Sequence, residues 1–166
     1  MTPDWMALIG CSSRRELVEG TVAGICAAIA VGTMEWCSVA AGYPLAVIPF
    51  ATSIVLVMGS PEAAPAQPRA LIGGHLVSAL AGFAVLRLTG PHAWAAAAAV
   101  GVAILAMVLT DTFHPPAGIS PLLIVSGNLP WSFLLAPVLA GVLLLAAFAY
   151  GWHRWVSRRP WPRPTL

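Results

Sequence analysis

The sequence predicts an all-α polytopic membrane protein built from six apolar segments in two three-segment halves, and three observations predict it. Of 166 residues 59% are hydrophobic and only 8% charged, with a mean hydropathy of +0.86; a soluble domain carries roughly 25% charged residues. The apolar residues fall into runs separated by Gly, Pro and polar turns. The basic residues gather at the ends, Arg14 and Arg15 before the first run and Arg154, Arg158, Arg159 and Arg163 after the last. The positive-inside rule then places both termini in the cytoplasm, asks for an even number of crossings, and makes the inner (plasma) membrane the expected location. A net charge of +2 distributed this way gives no reason to expect nucleic acid. The length accommodates a single membrane domain, 1–166, with halves at about 15–89 and 92–152.

Residues 1–13, with Trp5 and Met6, read as an amphipathic lead at the interface, and Glu16 and Glu19 after the arginines argue against a cleaved signal peptide. Segment one, about 16–36, carries Gly20, Gly24, Ala28 and Gly32 at every fourth position, a small-residue stripe that predicts close helix packing and a homo-oligomer. Cys11, Cys26 and Cys37 have no paired spacing and read as small packing residues. Segment two, about 43–59, holds Pro44 and Pro49 and is too short for a plain span of about 20 residues. Pro49 suits the first position of a helix. A polar connector, 60–69, precedes segment three, about 70–88, which carries Gly73, Gly74 and His75 near its start. Segment four follows the Gly90-Pro91 turn at about 93–110. The polar island Thr110-Asp111-Thr112-Phe113-His114-Pro115-Pro116 interrupts the chain before a short fifth segment, 117–125, and a turn at 126–130 leads to segment six, about 131–152.

The order long, short, long is thus met twice. A shift of 67 residues aligns Pro49 with Pro116, Ser53 with Ser120 and Gly74 with Gly141. Three crossings per half make the halves inverted, and broken segments at corresponding places in two halves point to a transporter site. The alternative is four full spans with segments two and five re-entrant.

A helix N-terminus offers free N–H groups and roughly half a positive charge. Two of them aimed at one point would hold a small anion without a full counter-charge. The donors expected for it are the amides of Phe50, Ala51 and Thr52 and of Ala117, Gly118 and Ile119, with the hydroxyls of Thr52, Ser53 and Ser120 assisting. His114 titrates near neutrality when unperturbed and is a candidate proton-linked gate or a local hydrogen-bonding group that fixes the loop. His75 is the second imidazole at depth. Asp111 and Glu35 end the first long helix of each half, just before the broken segment, and are candidates for ion pairs with Arg69, His75 or Arg87, or for proton-linked roles. No metal-ligand spacing, nucleophile triad, phosphate loop or cofactor fingerprint is present, so neither an enzyme nor a cofactor is expected. The rival readings are a non-transporting structural or regulatory subunit, and a proton-linked cation or metal carrier using His75 and His114.

Pro49-Phe50-Ala51-Thr52-Ser53, Ser60-Pro61, Ala66-Gln67-Pro68-Arg69, Ile72-Gly73-Gly74-His75-Leu76 and Thr112-Phe113-His114-Pro115-Pro116-Ala117-Gly118 together resemble the HPP family of integral membrane proteins, named for its His-Pro-Pro motif. The likeness runs over about residues 15–151. Gly is usual where Ala117 stands, and Gly-Ala-Ser where Ala51-Thr52-Ser53 stands. The resemblance implies four membrane spans and a transporter; plant members are similar to a chloroplast nitrite transporter, which implies nitrite or a similar monovalent anion as substrate. Many bacterial members carry a C-terminal CBS portion that is missing here, so nucleotide regulation in cis is not expected.

Overall fold

The computed structural model describes residues 14–41 and 47–163, with the backbone alone at residues 15, 41 and 47–49. The interfacial lead, Cys11, Tyr43 and Pro44 therefore lie outside the described residues. Among the latter there are helices and no strand: α1 Arg14–Ala41, α2 Val47–Gly59, α3 Pro68–Thr89, α4 Ala93–Leu109, α5 Ile119–Ser126 and α6 Leu134–Ser157. Single-turn 3₁₀ helices at Ala64–Ala66 and Pro115–Gly118 precede α3 and α5. Glu16–Ala40, Pro68–Thr89 and Leu134–Ser157 are long and apolar enough to cross a membrane, whereas Ala93–Leu109 is shorter than the expected plain span.

α2 starts at Val47, two residues before the expected Pro49. The third residue of a helix has no intrahelical acceptor for an N–H, so proline is tolerated there as well as at the first position. Pro68 opens α3 for the same reason. In α6 the turn Leu134–Ala140 is widened to i→i+5 bonding around Pro137. Proline removes one donor and pushes on the preceding turn, which the wider turn absorbs.

Polar contacts fix the direction of every helix. Arg159 Nη2 lies 2.8 Å from Glu19 Oε2, and Nη1 lies 3.8 Å from Glu62 Oε2. Trp161 Nε1–H donates to the Ala66 carbonyl at 2.9 Å, and the Arg163 amide to Gln67 Oε1 at 2.8 Å. Arg69 reaches Asp111 at 3.1 Å. The start of α1, the 60–69 connector, the turn after α4 and the segment after α6 thus share one end, called here the connector end. Each helix runs opposite to its predecessor. Four spans with two re-entrant pieces would put the connector at the far end from both termini, so these contacts agree with six passages.

Two apolar clusters form the core. One joins Cys26, Ala30 and Met34 of α1 to Phe50, Ile54 and Val57 of α2 and to Val142 and Leu145 of α6. The other joins Ala79 and Phe83 of α3 to Ala95 and Ala99 of α4 and to Ile124 and Val125 of α5. Glycines set the closest approaches. A Cβ on Gly82 would come within 2.7 Å of Pro121 Cα, one on Gly74 within 2.6 Å of His114 Cβ, and one on Gly141 would run into the Phe50 ring. Gly74 and Gly141 are the pair that the 67-residue shift aligns, and each presses on the broken segment of the other half. The α1 stripe behaves differently. Gly20, Gly24, Ala28 and Gly32 are exposed, and a Cβ on any of the three glycines would meet nothing within 4 Å. Among the described residues, nothing makes the contact that the stripe predicts.

Gly82→Ala should lower stability by about 1–3 kcal/mol, because the Pro121 backbone cannot yield cheaply. Gly24→Leu should leave it unchanged or raise it by up to about 1 kcal/mol through helix propensity. Thermal unfolding of the purified variants in detergent measures both.

Candidate functional site

The polar groups at depth are few and they converge. Ser53, His75, His114 and Ser120 are each 0% exposed. Ser53, in the second turn of α2, bridges the two imidazoles: its Oγ lies 2.9 Å from His75 Nε2 and 2.9 Å from His114 Nε2. The rings of His75 and His114 are 5.2 Å apart, and the Phe50 ring covers His75 at 4.8 Å. His114 Nδ1 lies 2.7 Å from the Pro65 carbonyl of the connector. Three elements therefore meet on one serine: α2, α3 and the break before α5.

The local sequence explains each placement. Residues 110–114 leave the helix because Asp111 adopts φ +53 and the prolines at 115 and 116 bar helical geometry before them. His114 is then extended, at φ −131 and ψ 95, with its ring toward α3. Gly74 permits that approach, since any side chain there would collide with His114. Ser78, one turn beyond His75 on the same face of α3, donates to the Ala117 carbonyl at 2.7 Å. With Gly82 against Pro121 one turn further, α3 and α5 lie parallel in a fixed register. Ser53 lies six residues before the end of α2, and His75 seven after the start of α3. Both counts place the trio about 10 Å in from the connector end.

The hydrogens of this chain can be assigned from its acceptors. A carbonyl only accepts, so His114 Nδ1–H donates to Pro65. The neutral ring then has a bare Nε2, which accepts the single Ser53 hydrogen. Toward His75 the Ser53 oxygen must accept, so His75 Nε2–H is the donor. His75 Nδ1 is left as a bare lone pair, and it has no partner among the described residues; the same holds for Ser120 Oγ. Unpaired buried polar atoms are costly and uncommon in native proteins.

Over residues 12–162 the chain matches the transmembrane region of HPP proteins. The chain belongs to the HPP family. Two transmembrane proteins of Dictyostelium discoideum are each 34% identical over 121 residues, covering 68% of this chain and 42% and 39% of their own lengths. This HPP chain thus spans about two fifths of the length of the curated relatives it matches. No solved structure matches it. The His114-Pro115-Pro116 motif of the family supplies both the second imidazole and the break that aims it.

The remaining expected site residues fall into groups. Phe50 is buried against His75, and its ring sits over Gly141. Ala51 is half-buried, and Thr52 is exposed. Because α2 begins at Val47, the amides of Ala51 and Thr52 belong to its i→i−4 ladder and are not open donors. The Ala117 amide bonds to the His114 carbonyl at 3.0 Å, and that of Ile119 to the Ala117 carbonyl. Gly118 has helical dihedrals, so it is not there for backbone freedom, but a Cβ on it would meet nothing within 4 Å. Asp111 pairs with Arg69 at the exposed connector end, and Glu35 is exposed on α1. Neither acid joins the histidines. Arg87 is exposed at the end of α3.

Sequence reasoning missed Ser78, the Pro65 carbonyl and His153. Ser78 had a signal, its i+3 spacing from His75. His153 is buried in α6, accepting from the Ser157 hydroxyl at 2.8 Å and donating through Nε2–H to the Val57 carbonyl at 3.1 Å, which ties α6 to the end of α2.

Ser53→Ala should cost about 1–3 kcal/mol, because both rings lose a buried partner, and Ser78→Ala about 1 kcal/mol. Arg69→Ala, at side chains 68% and 86% exposed in its pair, should cost under about 1 kcal/mol. Chemical unfolding in detergent should give that order; equal losses at Ser53 and Arg69 would contradict the site as drawn.

Proposed function

We propose that this HPP protein carries a small monovalent inorganic anion, nitrite or a close analogue, across the inner membrane, with both termini on the cytoplasmic side. The observation that carries the reading is the break at His114-Pro115-Pro116. It leaves open space beside Gly118, a buried Ser120 hydroxyl with no partner among the described residues, and the N-terminal end of α5 at the same place in the chain. Such a break at depth, lined by polar groups and packed against helices of the other half, is the setting in which transporters hold a substrate. A hydroxyl and a helix end attract an anion without neutralising it, so release stays cheap. The first half contributes by holding the break in place, since the Ser53 hydroxyl donates to His114 Nε2. The terminal arginines support the sidedness, and the connector-end contacts keep them on one side.

A metal or cation carrier built on the two histidines fits the geometry less well. Both Nε2 atoms are taken up by Ser53 and His114 Nδ1 by Pro65, which leaves one imidazole nitrogen for a cation. Among the described residues no group of three His, Cys, Asp or Glu converges.

Purified protein in liposomes should take up nitrite faster than empty liposomes, with nitrate, formate and chloride setting the order of preference. Gly118→Leu should fold, since its Cβ enters open space, yet reduce uptake at least about tenfold by filling the site. Absence of any anion-dependent flux in the wild type overturns the reading.

A further inference from the structure

We propose that His75, Ser53 and His114 form a proton relay that loads one proton with each anion, entering at His75 Nδ1 and held on His114. The proposal rests on the anion reading and adds the coupling ion to it. Its basis is the direction of the hydrogen-bond chain: His75 Nε2–H donates to Ser53, Ser53 O–H donates to His114 Nε2, and His114 Nδ1–H is fixed on the Pro65 carbonyl. A chain with its far end fixed has one open place, the bare Nδ1 of His75, which is buried and has no partner among the described residues.

The transfer balances. The acid form of the anion, or hydronium in the pathway, gives its proton to His75 Nδ1. The hydrogen on His75 Nε2 passes to Ser53 Oγ while the Ser53 hydrogen passes to His114 Nε2. Only N–H and O–H bonds change, three hydrogens each move one place, and the single positive charge comes to rest on the His114 imidazolium. His75 is neutral again, now with its hydrogen on Nδ1, and Ser53 still has one. The distances of 2.9 Å at both serine contacts let the hydrogens move without displacing a heavy atom.

This relay changes what the site offers. In this proposal His75 Nδ1 faces the bound anion, so when empty it presents a lone pair, which repels a bare anion. Loaded, it presents an N–H, and a cation stands behind it on His114. Anion and proton are therefore favourable together and unfavourable apart, the condition for coupled transport. The groups facing the two rings are compatible with a mobile charge. α2 presents Phe50 and Ser53, the connector presents the Pro65 carbonyl, and Arg69 and Asp111 at the exposed end neutralise each other. The Pro65 carbonyl cannot pass a proton on, so His114 is the terminus of the chain and its proton leaves by the reverse transfer through Ser53 and His75.

Two measurements on the full chain in liposomes test this. Solid-state ¹⁵N NMR of histidine-labelled wild type, in the absence of anion, should show His114 protonated on Nδ1 and His75 on Nε2, assigned by loss of signals in His75→Gln and His114→Gln. The opposite tautomer on either ring overturns the relay, whatever the transport result. In flux experiments with nitrite and with nitrate, wild-type uptake should acidify the lumen one proton per anion and be insensitive to an imposed potassium–valinomycin potential. Ser53→Ala should reduce the proton movement at least about tenfold, and Ser53→Thr, which keeps the hydroxyl, should restore it. Uptake that follows the imposed potential without lumen acidification overturns the relay while leaving the anion reading intact. No uptake of either anion overturns the anion reading and the coupled relay with it, whichever tautomers the rings show.

Discussion

One hydroxyl holds the centre of this protein together. Ser53 hydrogen-bonds to both imidazoles, and through them it joins α2, α3 and the break before α5. In a lipid-facing molecule a buried imidazole without a partner is expensive. The serine answers both rings at once because a hydroxyl can donate and accept in the same instant. A threonine would keep that ability and an alanine would not. Everything else about the site follows from serving this contact: Gly74 makes room for His114, the prolines turn it inward, and the connector supplies the carbonyl that fixes its tautomer.

Around that centre the two halves do not stand side by side as separate bundles. Gly74 of the first half accommodates the break of the second, while Gly141 of the second accommodates Phe50 beside the break of the first. The apolar clusters have the same character, since one joins α1 and α2 to α6 and the other joins α3 to α4 and α5. The polar trio lies where they meet. Membership of the HPP family accounts for the motif, and the packing accounts for why that motif has the spacing it has.

Much of this was legible in the chain. Composition and terminal arginines are enough for a helical membrane protein, and the long–short–long order with its 67-residue shift marks two related halves with a break in each. The island at 110–118 stood out because it breaks an apolar run with an acid, an imidazole and two prolines. Other features depend on tertiary contact and left no local trace. Ser53 looks like any hydroxyl in the first turns of a short helix, and nothing nearby announces that residues 22 and 61 positions away will close on it. The start of α2 slipped by two residues because proline is acceptable at several places in a first turn. That slip matters, since it draws the Ala51 and Thr52 amides into the helix and shifts the first half's role from backbone to side chain. The small-residue stripe of α1 was legible as a packing surface, but a sequence does not say whether the partner lies within the chain, and here the stripe faces outward.

The seat of Phe50 also bears on how the protein comes to be made. Its ring is fully buried, and the floor beneath it is Gly141, ninety-one residues later in the chain. When α2 leaves the ribosome, the Gly141 surface beneath Phe50 does not yet exist, because α6 follows it by four helices. Until α6 is made, the Phe50 ring has His75 on one side and no floor beneath it. The packing around Phe50 is therefore completed late, and a chain cut short before α6 would leave the ring that covers His75 without the Gly141 surface beneath it.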